Sequence, residues 1–172
     1  MKNILTTIFG AGLISVSMTT FSQSTLKIGH VDIAEILAAL PARDSAAATL
    51  NKETKEIQST YDEMSVVYNK MLDDYEKGQS TYSELVKKNK EAELLDKEKR
   101  LREFEQNASA TIQKRNGDLI QPILTRILKA VDKVAAENGF TYILDVSKGS
   151  VVYTSKDSQN INQLVMKILK PI

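Results

Sequence analysis

Only a few residues in this chain could carry out acid–base or metal chemistry. The single histidine, His30, lies two residues before Asp32 in the segment "LKIGHVDI", and Asp145 lies in a second apolar run, "FTYILDV". Two carboxylates at neighbouring strand ends could act as a general acid and a general base. No nucleophile motif or glycine-rich loop accompanies them, and the chain contains no cysteine. We therefore interpret His30 as an ordinary strand residue and both aspartates as capping or turn residues, and we expect no enzyme, metal or cofactor.

The composition favours long helices over a compact globule. Of the 172 residues, 26% are charged and only 6% are aromatic, with seven Gly and three Pro. Many charges and few helix breakers are typical of helices with exposed faces. The 23 basic and 22 acidic residues nearly cancel, which argues against a general nucleic-acid binder, because such proteins neutralise phosphates with excess positive charge.

The first residues have the layout of a secretory signal peptide. Lys2 precedes an apolar run from Ile4 to about Val16, and small and polar residues follow. We predict a signal peptide over residues 1–22, with cleavage before Gln23, and hence a periplasmic protein. An uncleaved anchor is the alternative, although the run is short for a span of about 20 residues. A lipoprotein is excluded because no cysteine is present to carry the lipid.

The segment from Ile57 to Glu76, "IQSTYDEMSVVYNKMLDDYE", contains an apolar heptad pattern. Its apolar positions alternate steps of four and three residues, which is typical of a helix that packs along another helix. We name these positions the apolar seam: Ile57, Tyr61, Met64, Tyr68, Met71 and Tyr75.

Two long stretches of similar length predict a helical hairpin. Residues 42–77 contain no Gly or Pro, and residues 84–117 form a second, strongly charged stretch. Each would be roughly 50 Å long as a helix. Between them, residues 78–83 predict a turn in which Ser80, Thr81 or Ser83 could cap the second helix, with Thr81 and Glu84 spaced as in a capping box. Gly117 and Pro122 are expected to bend the second helix rather than end it, and Gly139 to stop it.

The C-terminal part changes in character. Residues 140–146 and 151–157 are rich in β-branched and aromatic residues and are separated by "SKGS", which predicts a β-hairpin with Gly149 in its turn. Residues 160–170, "NINQLVMKILK", predict a short amphipathic helix. The fold class is therefore α+β and mainly α, with a long antiparallel helical hairpin projecting from a small β-sheet body. So few strands make a thin core for one chain, and we expect association.

This order of elements resembles the Skp/OmpH family of periplasmic chaperones. The resemblance rests on "KIGHVDIAEILAALP", the long charged hairpin, "GFTYILDVSKGSVVYTSKD" and "INQLVMKILK". It implies a homotrimer in which residues 23–41 and 122–172 form a β-sheet oligomerisation body and residues 42–121 form a coiled-coil tentacle with its tip at about 78–83. The body residues that it implies at the oligomer interface are Ile28, Val31, Ile143, Leu144, Val146, Val151 and Val152.

The resemblance also implies an ATP-independent holding chaperone. It would bind unfolded outer-membrane proteins in a cavity between tentacles and prevent their aggregation. The suspected client-binding residues, where the returning helix is too poor in large apolar residues to cover them, are Tyr61, Met64, Val67, Tyr68, Met71 and Tyr75. A structural coiled-coil adaptor that bridges cell-envelope components is the alternative.

One feature departs from the better-known relatives, which are strongly basic. Seven basic residues of the second helix (Lys87, Lys88, Lys90, Lys97, Lys99, Arg100 and Arg102) are balanced by six acidic ones (Glu84, Glu91, Glu93, Asp96, Glu98 and Glu103). We therefore expect electrostatic capture of clients to be weak here, and any contact of the tentacle tips with a membrane surface to be weak as well.

Overall fold

The computed structural model of the protein describes residues 26–169, so the predicted signal peptide lies outside the described residues. The chain runs through seven elements: β1 (Ile28–Val31), α1 (Ile33–Ala38), α2 (Pro41–Gly78), α3 (Glu84–Glu137), β2 (Tyr142–Asp145), β3 (Gln159–Asn160) and α4 (Asn162–Leu169). The fold is mainly helical with a small sheet, as the sequence predicts.

Helices α2 and α3 form an antiparallel pair, which we call the arm. Helix α2 has 38 residues and begins at Pro41, where the missing N–H of proline costs no hydrogen bond. The side chain of Ser83 caps α3 by accepting a hydrogen bond from the Val86 N–H at 3.4 Å. The capping box at Thr81 is therefore wrong, because the Thr81 hydroxyl donates instead to the Gly78 carbonyl at 2.8 Å.

Helix α3 is a continuous element of 54 residues and passes from the arm into the body. Gly117 and Pro122 lie within it and do not end it, as predicted, whereas the expected bend stays a prediction. The helix stops where Gly139 takes a positive φ of 65°, a conformation that glycine adopts without steric cost. The Lys27 ammonium donates to the Asn138 carbonyl at 2.7 Å and so ties the start of β1 to this helix end.

The three strands form a parallel sheet in the order β2–β1–β3. The predicted β-hairpin is wrong: residues 151–155 have no regular secondary structure, and the third strand is the polar pair Gln159–Asn160. Beyond β2, the Val146 N–H donates to the Val31 carbonyl, so the chain follows β1 instead of turning back on β2. High β-propensity in residues 151–157 thus finds no strand partner within the described part of the chain.

The core lies between one face of the sheet and helices α1, α3 and α4. Its largest fully buried side chains are Val31, Ile36, Ile127, Val134, Ile161, Val165 and Leu169. Helix α4 has Val165 and Leu169 on its buried face, which confirms the predicted amphipathic helix. The C-terminal half of α3 therefore belongs to the body, while its N-terminal half forms the arm.

A buried asparagine connects three elements of the body. Asn162 is 5% exposed, and its side-chain oxygen accepts a hydrogen bond from the Asp32 N–H at 2.9 Å. Its amide nitrogen donates to the Glu35 carboxylate at 2.6 Å, and its backbone N–H donates to the Asn160 side chain at 2.8 Å. The start of α4 is thereby fixed to the junction of β1 and α1.

Candidate functional site

The apolar seam of α2 lies against α3, as the heptad pattern predicts. All six seam residues are half-buried and none is fully buried. Tyr61 stacks on Phe104 with ring centroids 6.5 Å apart, and the Tyr75 hydroxyl donates to the Glu91 carboxylate at 2.5 Å. That hydrogen bond raises the pKa of Tyr75. The seam therefore packs against the returning helix but is not sealed by it.

Part of the predicted client-binding set is exposed to solvent. Val67 is 50% exposed, and its neighbour Val66 is 67% exposed. Tyr61, Met64, Tyr68, Met71 and Tyr75 are half-buried and share the seam. The arm thus exposes branched aliphatic side chains beside a row of partly covered tyrosines and methionines.

Three open cavities follow one another along the groove between the helices. The largest, of about 490 Å³, lies at Ile57 and Tyr61. The next, of about 340 Å³, lies at Met64 and Val67, and the third, of about 180 Å³, lies at Met71 and Tyr75. These clefts are open to solvent, so the seam residues that line them are only partly covered by α3.

Direct polar bridges between α2 and α3 occur at the two ends of this groove. Near the body, the Arg115 guanidinium makes a bidentate pair with the Glu53 carboxylate, with N–O distances of 2.8 to 3.1 Å. This pairing lowers the pKa of Glu53 and raises that of Arg115. Near the tip, Tyr75 bonds Glu91. Among the described residues no other side-chain hydrogen bond or ion pair joins the two helices, so only apolar packing holds the middle together.

The body presents a second apolar surface, on the face of the sheet opposite the core. Partners in a parallel sheet point to the same side, and Ile28 pairs with Tyr142 while His30 pairs with Leu144. Ile28, Tyr142 and Leu144 are 46%, 58% and 42% exposed. No helix of the described chain covers this face.

The residues predicted at an oligomer interface fall into three groups. Ile28, Leu144 and Val152 are exposed, the last of them at 97%. Ile143, Val146 and Val151 are half-buried. Val31 is 2% exposed and belongs to the core of its own chain, so its side chain has little surface to offer a second copy.

The titratable residues of the strand ends have structural partners. Asp32 caps α1 by accepting a hydrogen bond from the Glu35 N–H at 2.9 Å, and Asp145 accepts one from the Ser147 N–H at 2.9 Å. Burial acts to raise the pKa of Asp145, but hydrogen bonds from Ser147 and the Ile33 backbone outweigh it, and the pKa is lowered. Between residues 26 and 169, no group of three or more His, Asp or Glu side chains is placed to hold a metal ion.

Sequence reasoning did not include the α3 side of the groove in the client-binding set, although Phe104, Ala108 and Ile112 follow the heptad pattern of the second stretch. The largest cavity is lined on that helix by Phe104, Ala108 and Ile112, which the heptad spacing alone does not mark as a site. The Glu53–Arg115 pair was also missed, because it joins residues 62 positions apart. The similar lengths of the two predicted helical stretches, counted from the turn, were the signal that could have placed Tyr61 opposite Phe104.

Comparison with known proteins agrees with this architecture. The family model described as outer membrane protein (OmpH-like) matches residues 27–169. The chaperone protein Skp of Photorhabdus luminescens is 29% identical over 160 residues, which cover 91% of this chain and 93% of that protein. The Skp chaperone of Photorhabdus laumondii subsp. laumondii is 28% identical over the same coverage. A crystal structure described as an OmpH-like outer membrane chaperone from Caulobacter crescentus aligns with a TM-score of 0.72 over 84% of this chain and 83% of that chain, at 10% identity.

Residues 26–169 thus form a long two-helix arm on a small sheet, with a partly covered apolar groove along the arm. The chain belongs to the Skp/OmpH family of periplasmic chaperones, as the sequence pattern predicted. This family is not enzymatic. None of the helices in residues 26–169 is both long and apolar enough to cross a lipid bilayer.

Proposed function

We propose that the protein is an ATP-independent holding chaperone of the periplasm that binds unfolded outer-membrane proteins and prevents their aggregation. The observation that carries the proposal is the incompletely packed seam of the arm, with its half-buried tyrosines and methionines. Tyrosine offers an apolar ring with a polar tip, and methionine adapts its shape, so both suit varied unfolded segments. Many weak contacts of this kind would act together, and avidity would supply the affinity.

We propose further that three copies assemble through their bodies. The exposed face at Ile28, Tyr142 and Leu144, together with residues 151–155, supports this assembly. The uncovered apolar side chains and the unpaired, β-prone segment would both be satisfied by neighbouring copies. Three arms would then surround a common cavity that encloses the client.

The holding activity is tested by light scattering. An outer-membrane β-barrel protein in urea is diluted into buffer with or without the processed chain, residues 23–172. We expect scattering to be suppressed when the chaperone is in several-fold molar excess. Unchanged scattering at that excess would refute the proposal. Capture of one folded partner at fixed stoichiometry, without this suppression, would instead favour the envelope adaptor.

The seam is tested by the double substitution of Tyr61→Ser with Tyr68→Ser. We expect weaker suppression, because two large amphipathic rings are lost from the groove. Asp62→Ser with Asn69→Ser changes the adjacent exposed positions of the same turns and serves as the matched control. If the tyrosine variant lowers only the melting temperature of the arm and holds client normally, the seam has a packing role alone.

Assembly is tested by the absolute mass in solution. We expect three times the mass of one processed chain. Val152→Asp, at a position that is 97% exposed in the single chain, should lower that mass, because it would bury a charge between copies. Lys156→Asp, on a nearby exposed position, is the control. A single-chain mass for the wild type would refute the trimer.

A further inference from the structure

In the middle of the arm, an uncharged run of α3 lies opposite an uncharged run of α2. On α3, 14 of the 22 residues from Glu84 to Glu105 are charged, but none of the eight residues 106–113, "QNASATIQ", is charged. On α2, residues 57–61, "IQSTY", are uncharged, as are residues 45–51 and 64–69. The α3 residues that line the cavity at Met64 and Val67 include the charged Lys97 and Arg100, so residues 64–69 do not face an uncharged run. We name residues 57–61 and 106–113 the uncharged band. Positions that flank a paired-helix seam usually carry charges, so a local absence of charge on both helices is unusual.

The two halves of the uncharged band face each other across the largest cavity. Its apolar floor is formed by Ile57, Tyr61, Phe104, Ala108 and Ile112. Ala108, a small residue of α3, lines this cavity beside large side chains of the α2 seam. The cavity volume of about 490 Å³ falls within the range of roughly 300–1,000 Å³ that is typical of ligand sites.

The rim of this cavity is almost entirely neutral and polar. Thr54, Gln58, Ser109 and Gln113 lie around it, and Glu105 is its one charged residue. The second cavity has Glu63, Lys97 and Arg100 in its lining, and the third has Asp74, Lys90 and Glu93. A bound segment would have to displace water from those charges, which costs free energy, whereas amides and hydroxyls can exchange water for peptide groups.

We propose that this cavity is a discrete subsite for one aromatic or branched aliphatic side chain of an extended polypeptide segment. The apolar floor would take the side chain, while Gln58, Ser109 and Gln113 would hydrogen-bond the flanking peptide groups. An extended unfolded chain carries unpaired N–H and C=O groups on both sides of each residue, and a neutral rim of donors and acceptors suits them. The subsite rests on the proposed holding function and specifies where on the arm it acts.

The position of the band favours a polypeptide over a lipid surface. Tyr61 lies 17 residues from Gly78 at the end of α2, or about 25 Å along the helix. Segments that lie on a membrane enter it to a depth of only about 5–10 Å. A membrane in contact with the tip therefore would not reach the uncharged band, while a client enclosed between arms would.

The test uses the absence of tryptophan from the chain. The probe is a synthetic ten-residue peptide of alternating Val and Thr with one central Trp. We expect its fluorescence to shift to shorter wavelength when the processed, assembled protein is added. Ala108→Leu fills the cavity and should weaken binding of the peptide at least tenfold, with arm melting unchanged or raised. Ala110→Leu makes the same change on the exposed side of the band and should leave binding within twofold.

A second pair of variants guards against a folding defect. Gln113→Lys places a charge on the rim and should also weaken peptide binding, whereas Thr111→Lys, in the same turn but outside the cavity, should not. Wild-type affinity in both Ala108→Leu and Gln113→Lys would overturn the subsite. Equal losses of peptide affinity in Ala108→Leu and Ala110→Leu would also overturn the subsite. A changed mass in solution for Ala108→Leu alone would overturn it too, because the cavity would then be a contact with a second copy.

The two levels of the proposal can fail separately. If the wild type suppresses client aggregation but does not bind the Trp peptide, the subsite is wrong and the holding function stands. If it does neither, the proposed function itself fails.

Discussion

The buried Asn162 offers a sharp test of how the body is held together. Its amide donates to the Glu35 carboxylate at 2.6 Å, and its side-chain oxygen accepts from the Asp32 N–H at 2.9 Å. Asn162→Asp keeps the acceptor for Asp32 and replaces the donor with a second carboxylate facing Glu35. The change preserves size and shape, so any loss of stability comes from the lost donor and from the carboxylate introduced at a buried position.

The expected magnitude follows from that geometry. A hydrogen bond to a charged group contributes about 1.5–3 kcal/mol, and like-charge repulsion at hydrogen-bond distance adds to its loss. Because Glu35 is on the exposed side of the pair, solvent screens part of the repulsion. We therefore expect the free energy of unfolding to fall by about 2 kcal/mol at pH 7.

The loss of stability in Asn162→Asp should depend on pH. Two adjacent carboxylates raise the pKa of the pair above its unfolded value, so the penalty is full at neutral pH. It should be smaller in an assay at about pH 4, because protonation of one carboxylate removes the like-charge repulsion. The assay is urea unfolding followed by circular dichroism at one fixed protein concentration, since assembly makes the midpoint concentration-dependent.

A second substitution, at Glu35, should reverse the effect of Asn162→Asp. Glu35→Gln, added to Asn162→Asp, provides an amide that can donate to the introduced carboxylate and should restore most of the lost stability. The reasoning is refuted if Asn162→Asp costs the same at both pH values, or if Glu35→Gln worsens the double variant.

Three further predictions concern the core, the arm and the backbone. Ile127→Ala, at a fully buried position, should lower the free energy of unfolding by about 2–5 kcal/mol in urea denaturation, and a loss below 1 kcal/mol would contradict its place in the core. The lowered pKa of Glu53 means that its ionised form stabilises the arm at pH values above the ordinary glutamate pKa of about 4.3, and this contribution disappears as the pH falls through the folded value. The melting temperature of the arm should therefore fall less with acid in Glu53→Gln than in the wild type. Parallel curves of melting temperature against pH would rule out the Arg115 contact as the cause. Gly139→Ala should destabilise by about 1–2 kcal/mol because φ is positive, whereas Gly117→Ala, inside α3, should stabilise by about 1 kcal/mol, and thermal shifts of the same sign would contradict this assignment.

The helices could be predicted because their signals are local. The heptad spacing of Ile57 to Tyr75 indicates the seam, and Gly139 indicates the end of α3. Each of these depends on residues three to seven positions apart, a range over which the helix geometry is fixed. The continuous passage of α3 through Gly117 and Pro122 follows from the apolar residues that resume beyond them.

The sheet could not be predicted in the same way, because strand pairing is non-local. Residues 151–157 have strong β-propensity and no partner in the described chain, while the polar pair Gln159–Asn160 forms a strand because β1 lies beside it. After β2 the chain turns at Asp145, whose side chain accepts a hydrogen bond from the Ser147 N–H.

The candidate site was predictable on one helix only. The residue types of the seam are visible in the sequence, but the cavity depends on Ala108 facing Ile57 and Tyr61. That register is set by the turn between Gly78 and Glu84, where a shift of one residue would place other side chains opposite the seam. The uncharged band is present in the sequence, yet its two halves become one surface only after the arm folds back.

Because α3 is continuous from the body to the tip, a small rotation of this helix near the body moves the whole arm. From Gly117 to Glu84 the helix extends 33 residues, about 50 Å, beyond the body. Pro122 lacks the N–H that would bond the carbonyl of Asp118, so one backbone hydrogen bond of α3 is missing close to the body. A rotation of about ten degrees at that point would move the tip of the arm by about 9 Å, because the arm is about 50 Å long. A rotation of this size within a single turn would therefore be enough to move the tip of the arm by about the width of another helix.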